Sequence, residues 1–179
     1  MSHDFSFYYI LIQIFGFIVF GIYATASFQK ERKKFFIQES FGAFGMGFQT
    51  LLLGSWIGFI TNSVHALMML IARLHPELRI TPKVLYSGVI VTMIASLIIW
   101  ENTVIEYVCL SATLLNFWAR TLKNETFLRI AAMAGCGLWI LFHVLLGSWA
   151  GLFFAVIAVG GHFWHILKVY APVYARASS

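Results

Sequence analysis

A few polar side chains lie inside long apolar runs of this 179-residue sequence, and their types could support binding chemistry. Asn62 and His65 are three residues apart, which places them on one face of a helix. Gln49 and His143 lie at a similar depth in two other runs. These four side chains could hydrogen bond to a polar solute in a pocket. Alternatively, they bond to neighbouring helices and hold a bundle together, at about 1 kcal/mol per contact.

A second pair, Gln13 and Glu106, lies near the start of two apolar runs, 93 positions apart. Glu106 is the only acidic residue well inside a predicted run. Because ionisable groups inside membranes are costly and commonly functional, Glu106 is a candidate cation or proton site, with Gln13 lining the same outer vestibule. The alternative is that Glu106 extends to the outer membrane interface and binds nothing.

The histidines do not form a recognisable metal or haem site. His65 and His143 lie toward one end of their runs and His162 and His165 toward the other, with no Cys or carboxylate to complete a ligand set. The sequence also lacks a nucleophile beside a base, a pair of carboxylates and a phosphate-binding loop. We therefore predict no metal, no cofactor and no enzymatic activity.

The elements that must position these residues are hydrophobic throughout. Hydrophobic residues make up 60% of the sequence and charged residues 11%, with a mean hydropathy of +0.84, whereas soluble domains carry about 25% charged residues. The formal net charge is +5, but the basic residues adjoin apolar runs, which indicates membrane topology and no nucleic-acid binding. We predict that residues 1–179 form a single membrane domain whose main partner is the lipid bilayer.

Seven apolar runs predict an all-α membrane protein with seven transmembrane helices. Two pairs of runs are separated only by Gly54-Ser55 and by Gly147-Ser148. A continuous helix through either pair would be on the order of 50 Å long, whereas the hydrocarbon core is about 30 Å thick, so each Gly-Ser must form a turn. The predicted runs are 7–27, 40–54, 56–73, 83–100, 103–119, 129–147 and 149–168.

The basic residues predict the orientation of these helices. All 12 Lys and Arg residues fall in the first, third and fifth connections or at the end of the last run, which is one side of the membrane. The positive-inside rule makes that side cytoplasmic. We therefore predict that the N-terminus lies outside and the C-terminus inside.

The two Gly-Ser turns belong to an internal repeat. Residues 52–56 and 145–149, which are 93 positions apart, share the sequence Leu-Leu-Gly-Ser-Trp. Residues 7–73 and 103–168 are therefore predicted to be two parallel copies of a three-helix bundle, linked by the single helix 83–100. This 3+1+3 arrangement is one plan of membrane transporters, with the binding site between the halves.

Three segments resemble the bacterial inner membrane protein family YgjV. They are residues 28–35 (FQKERKKF), 48–54 (FQTLLLG) and 62–67 (NSVHAL). The resemblance covers nearly the full length and implies a multi-pass protein of the bacterial cytoplasmic (inner) membrane.

More remotely, the 3+1+3 plan, the basic loop after the first run and the Asn early in the third run resemble the SWEET and PQ-loop (MtN3-like) transporter group. That resemblance implies alternating-access passage of a small solute between the two halves. The Pro-Gln pair of that group is replaced by Phe28-Gln29 in the first half and by Thr121-Leu122 in the second. Sugar transport is therefore not implied.

Together these features predict a small-solute transporter with a pocket between the two three-helix bundles. The alternative is a membrane scaffold or accessory subunit that transports nothing and binds a partner protein or lipid. A pocket lined by Asn62, Gln49, His143 and Glu106 would favour the transporter. A space filled by side chains would favour the scaffold.

Small residues recur at helical spacing in the second and sixth runs. Ala43 and Gly47 are four positions apart, as are Ala131 and Gly135, and this spacing permits close approach of two helices. One interpretation is packing within each bundle, and the other is a homo-oligomer formed through these faces.

Overall fold

The computed structural model describes residues 7–26, 32–74, 82–98, 103–119, 122 and 124–177. This part of the chain forms seven helices and no strand, which confirms the predicted all-helical class. The helices are α1 (Phe7–Ala26), α2 (Arg32–Leu52), α3 (Trp56–Leu74), α4 (Pro82–Ile98), α5 (Val104–Ala119), α6 (Glu125–Leu146) and α7 (Trp149–Ala177).

The start of α2 differs from the predicted run. The helix begins at Arg32, whereas the apolar run was predicted to begin at residue 40. Lys, Arg, Gln and Glu are good helix formers, so the helix extends into polar sequence that hydropathy alone excludes. The extension places Glu39 two turns inside α2. The predicted linker 83–100 matches α4, and its residues 99 and 100 lie outside the described part of the chain.

Two helices are both long and apolar enough to cross a bilayer, at Phe7–Thr25 and Thr126–Leu146. Only 33% and 28% of their apolar stretches are buried, so most of that surface faces outward, unlike a core helix of a soluble protein. Four further helices have apolar parts of 10–17 residues, and at about 1.5 Å per residue these are shorter than the hydrocarbon core. Seven membrane crossings therefore remain a prediction.

A left-handed glycine joins α2 to α3. Gly54 has φ of 92°, a conformation that favours glycine, and the N–H of Ser55 donates to the carbonyl of Thr50 at 2.9 Å. The Ser55 hydroxyl then accepts the N–H of Gly58 at 3.1 Å and caps the start of α3. The chain reverses here as the Gly-Ser pair predicted.

The α6–α7 connection repeats this geometry. Gly147 has φ of 73°, and the N–H of Ser148 donates to the carbonyl of His143 at 2.9 Å. The Ser148 hydroxyl accepts the N–H of Gly151 at 3.2 Å and caps α7. The second predicted turn is therefore confirmed, with the same hydrogen bonds as the first.

The helices form two three-helix groups, which are α1–α3 and α5–α7. In the first group α2 packs between α1 and α3, and in the second α6 packs between α5 and α7. The groups meet where α1 contacts α7 and where α3 contacts α5, and α4 packs on α3. One core cluster joins α1, α2, α3 and α7, and another joins α3, α5 and α6. Their buried members are Val19, Phe20, Ala43, Met46, Ala66 and Ala150 in the first, and Ile57, Cys109, Phe142 and Leu146 in the second.

The small residues of α2 and α6 allow close packing within each group. A Cβ atom at Gly47 would lie 3.1 Å from Cβ of Asn62 on α3, and one at Gly135 would lie 2.6 Å from Oδ1 of Asn116 on α5. Intramolecular packing therefore accounts for these glycines, and a homo-oligomer stays a prediction.

Candidate functional site

Gln49 lies in the last turn of α2 and is fully buried, with 0% exposure. Its Oε1 accepts a hydrogen bond from the Ser148 hydroxyl at 3.1 Å, but its Nε2 has no partner among the described residues. The amide is in close contact with Gly16 of α1, where a Cβ atom would lie 2.5 Å from Nε2. An unpaired buried donor of this kind costs about 1–3 kcal/mol.

His143 is the second buried polar side chain of this region, with 5% exposure on α6. Its Nδ1 lacks a hydrogen-bond partner in the described part of the chain, and the imidazole packs against Gly151 of α7, which has no side chain to displace it. Three aromatic rings surround it: Phe20 at 5.7 Å, Trp139 at 5.7 Å and Phe142 at 5.2 Å between ring centroids. The imidazole therefore sits in an aromatic setting with one nitrogen unused.

Ser148 lies next to both residues in the hydrogen-bond network. Its hydroxyl donates to the side chain of Gln49, and its backbone N–H donates to the main-chain carbonyl of His143 at 2.9 Å. Thr50, next to Gln49, is also buried, and its hydroxyl donates to the carbonyl of Gly47 at 2.7 Å. We call Gln49, Thr50, His143 and Ser148 the central polar cluster. It brings together two of the residues that the sequence analysis selected, and it spans both three-helix groups.

Gln13 lies beside this cluster and joins α1 to the α6–α7 turn. Its Nε2 donates to the carbonyl of Gly147 at 2.8 Å, and its Oε1 accepts the N–H of Ala150 at 3.4 Å. The hydroxyl of Tyr9, one turn earlier, donates to the same Gly147 carbonyl at 2.6 Å. We call these three hydrogen bonds the latch, because they fasten the first helix to the other three-helix group.

Glu106 occupies the first turn of α5 and is buried there. Its Oε2 accepts the N–H of Thr103 at 3.2 Å, and its own N–H donates to the Thr103 hydroxyl at 3.4 Å. This reciprocal pair is a capping box, which the spacing Thr-x-x-Glu signals in sequence. The carboxylate therefore stabilises a helix start, a role that the sequence analysis did not consider.

Asn62 also bonds within its own helix, since its Nδ2 donates to the carbonyl of Gly58 at 2.8 Å. His65, one turn further along α3, is paired with Glu39, with 3.3 Å between Nε2 and Oε1. The hydroxyl of Tyr23 donates to the same Oε1 at 3.4 Å. These hydrogen bonds of Asn62, His65 and Glu106 involve no residue of the central polar cluster.

Glu39 is a buried acidic residue that the sequence analysis missed. Its exposure is 7%, so Glu106 is not alone among the described acidic residues in being buried in a helix. Glu39 was not considered because the apolar run was predicted to begin at residue 40. A helical reading from Arg32 onward would have placed the carboxylate inside α2, facing α1 and α3.

Residues 10–172 match the family model described as bacterial inner membrane protein, YgjV. The chain belongs to this family. The match places this YgjV-family protein in the bacterial inner membrane, where its outward apolar side chains contact lipid. No curated protein and no solved structure matches the chain. The more remote resemblance to the SWEET and PQ-loop group therefore stays a hypothesis.

The YgjV-family protein also carries an apolar groove of about 520 Å³ between the ends of α5 and α6 that are opposite the Gly-Ser turns. The residues 93 positions earlier in the sequence, Gln38 and Phe41, are larger than Ala131 and Ala134 of the groove. Gln38 bonds there to the carbonyl of Ile22 at 3.1 Å. The groove is lined by Leu115, Trp118, Leu122, Asn124, Phe127, Ile130, Ala131 and Ala134.

Proposed function

We propose that this YgjV-family protein is a small-solute transporter whose solute binds at the central polar cluster. Four buried side-chain polar atoms lack a hydrogen-bond partner among the described residues: Gln49 Nε2, His143 Nδ1, Ser63 Oγ and Thr92 Oγ1. The proposal rests on the first two, which are buried where helices of both groups meet. In the packed arrangement both atoms forgo a hydrogen bond, at about 1–3 kcal/mol each. A polar solute or water that enters between the groups supplies those bonds, and intramembrane polar residues characteristically mark such pathways.

The two groups act in this proposal as parallel halves, 7–73 and 103–168, with α4 as the linker. Two features support the repeat. The Gly-Ser turns have matching hydrogen bonds at positions 93 residues apart. The contacts between groups are also equivalent, because a shift of 93 residues turns the α1–α7 contact into the α5–α3 contact. Halves related in this way can separate and close again around a site between them.

In this proposal, the contacts between the two three-helix groups must open. The latch holds α1 to the α6–α7 turn. On the other side, the Thr61 hydroxyl lies 3.7 Å from Sγ of Cys109, where α3 meets α5. Solute passage requires both contacts to loosen, so the proposed cycle alternates between this packed arrangement and one with the halves apart.

The second candidate function is a membrane scaffold that transports nothing and binds a partner protein or lipid. The packing of Ile57, Cys109, Phe142 and Leu146 between α3, α5 and α6 favours it, because side chains fill that part of the interface between the groups. A scaffold keeps this interface closed, whereas a transporter opens it repeatedly. The two functions therefore differ in whether buried interface atoms ever meet solvent.

Native Cys109 reports on this difference, because it is fully buried at the interface and is not in a disulfide. In a Cys136→Ser variant it is the single remaining cysteine. We expect N-ethylmaleimide to modify Cys109 in the folded protein in proteoliposomes, since separation of the halves exposes it transiently.

The matched control is Ala119→Cys in a chain lacking both native cysteines, because Ala119 is buried within one group, among residues of α5 and α6. If the protein is a transporter, Cys109 should react roughly tenfold or more faster than this control. That ratio corresponds to a free energy of opening that is about 1.4 kcal/mol lower at Cys109 than at the control cysteine. Equal protection of both cysteines until the protein unfolds would establish the scaffold instead.

A further inference from the structure

We infer that the solute taken by the central polar cluster is uncharged and bears hydroxyl or amide groups. The inference rests on the proposed function and concerns the class of solute. It follows from three features of the cluster: the kinds of side chain present, the two unused nitrogen atoms, and the rings beside them.

The side chains of the cluster are an amide, two hydroxyls and an imidazole, none of which carries a permanent charge. The hydrogen bonds and ring contacts of Gln49 and His143 involve no Asp, Glu, Lys or Arg among the described residues. Burying an ion without a counter-charge is far more costly than burying a hydrogen-bonded neutral group. A charged solute would therefore find no compensation there.

Two carboxylates are buried among the described residues, and both already have structural partners. Glu106 accepts the N–H of Thr103 at the start of α5. Glu39 is paired with His65 and accepts the Tyr23 hydroxyl, between α1, α2 and α3. Neither is thereby available to balance a cationic solute at Gln49.

The unused atoms define the hydrogen bonds that the solute must make. Gln49 Nε2 is a donor and needs an acceptor, whereas His143 Nδ1 either donates or accepts according to its tautomer. Hydroxyl and primary amide groups both donate and accept hydrogen bonds. Such groups can therefore bond to either of these nitrogen atoms, whichever tautomer His143 adopts. The rings of Phe20 and Trp139 beside the imidazole provide an apolar surface for the carbon skeleton.

Two matched sets of probes test the charge requirement. One is propionamide, propionate and propylamine, which share a three-carbon chain. The other is glucose, glucuronate and glucosamine, which share a pyranose ring, so the charge varies within each set. The readout is the unfolding midpoint of the full chain in detergent. We expect a neutral member to raise the midpoint by about 3 °C when saturating, while its charged analogues leave it unchanged.

Two variants assign the response to the cluster. Gln49→Leu removes the unpaired amide and should abolish the shift, whereas Gln38→Leu, a glutamine of the same helix near its start, should retain it. A charged probe that shifts the midpoint as strongly, through Gln49, overturns the inference and leaves a transporter standing. If no probe of either set shifts the midpoint, the inference for these classes is wrong. Labelling of Cys109 decides the proposed function independently of that outcome.

Discussion

Two buried glutamines on neighbouring helices differ in how their amides are paired. Gln13 uses both ends of its amide in the latch, one on Gly147 and one on Ala150. Gln49 uses only its oxygen, which accepts the hydroxyl of Ser148. The residues are of the same type and both are buried, so their different pairing should give different contributions to stability.

Gln13→Leu is expected to lower the free energy of unfolding by about 1–2 kcal/mol, because two hydrogen bonds are lost at a buried turn. Gln49→Leu is expected to change it by less than about 1 kcal/mol. That variant removes a costly unpaired donor, which offsets the loss of an acceptor for Ser148. Thermal unfolding of both variants under the same detergent conditions measures the difference. A larger loss in Gln49→Leu than in Gln13→Leu would mean that the amide of Gln49 is fully paired.

For the polar residues of the spans, the hydrogen-bond partners were not predicted from the sequence. The predicted pocket of Asn62, Gln49, His143 and Glu106 stays a prediction, because helical spacing predicts a face and not what that face meets. Asn62 bonds back to its own helix, and Glu106 pairs with Thr103, three residues earlier. The latter pairing was available in the sequence as a capping-box spacing.

At the scale of elements, turns were predictable and the start of α2 was not. Two apolar runs joined as one helix would be longer than the bilayer is thick, so the chain must reverse at the Gly-Ser pair between them. Both reversals are present. The start of α2 lies in polar sequence, where hydropathy contains no information about helix formation. Its early start determines the position of Glu39, so an error in one boundary concealed the contact between Glu39 and His65.

The left-handed turns give a prediction with an internal control. At Gly54, φ is 92° and a Cβ atom would meet nothing within 4 Å, so Gly54→Ala should cost about 1 kcal/mol through the backbone alone. At Gly21, inside α1, a Cβ atom also meets nothing within 4 Å. Gly21→Ala should therefore stabilise the helix, by up to about 1 kcal/mol. Unfolding midpoints that shift in the same direction for both variants would refute the left-handed turn.

For the whole molecule, the distribution of its 12 basic residues predicts the N-terminus outside and the C-terminus inside. The prediction is checked with a cysteine at Ser2, outside the described residues, in a chain lacking both native cysteines. A membrane-impermeant maleimide should label it in intact spheroplasts. A cysteine at Ser178 should react only after the membrane is opened. The reverse pattern would invert the topology.

In the proposed cycle, the two halves separate at the interface that the latch closes. The rate of Cys109 modification measures this separation in a Cys136→Ser chain that also carries Tyr9→Phe and Gln13→Leu. Loss of the latch removes hydrogen bonds worth together about 1.4 kcal/mol or more, so Cys109 should react roughly tenfold faster. The Ala119→Cys control in the same latch-free chain should react at an unchanged rate. An unchanged rate at Cys109 in a folded protein would mean that the halves do not separate through this contact.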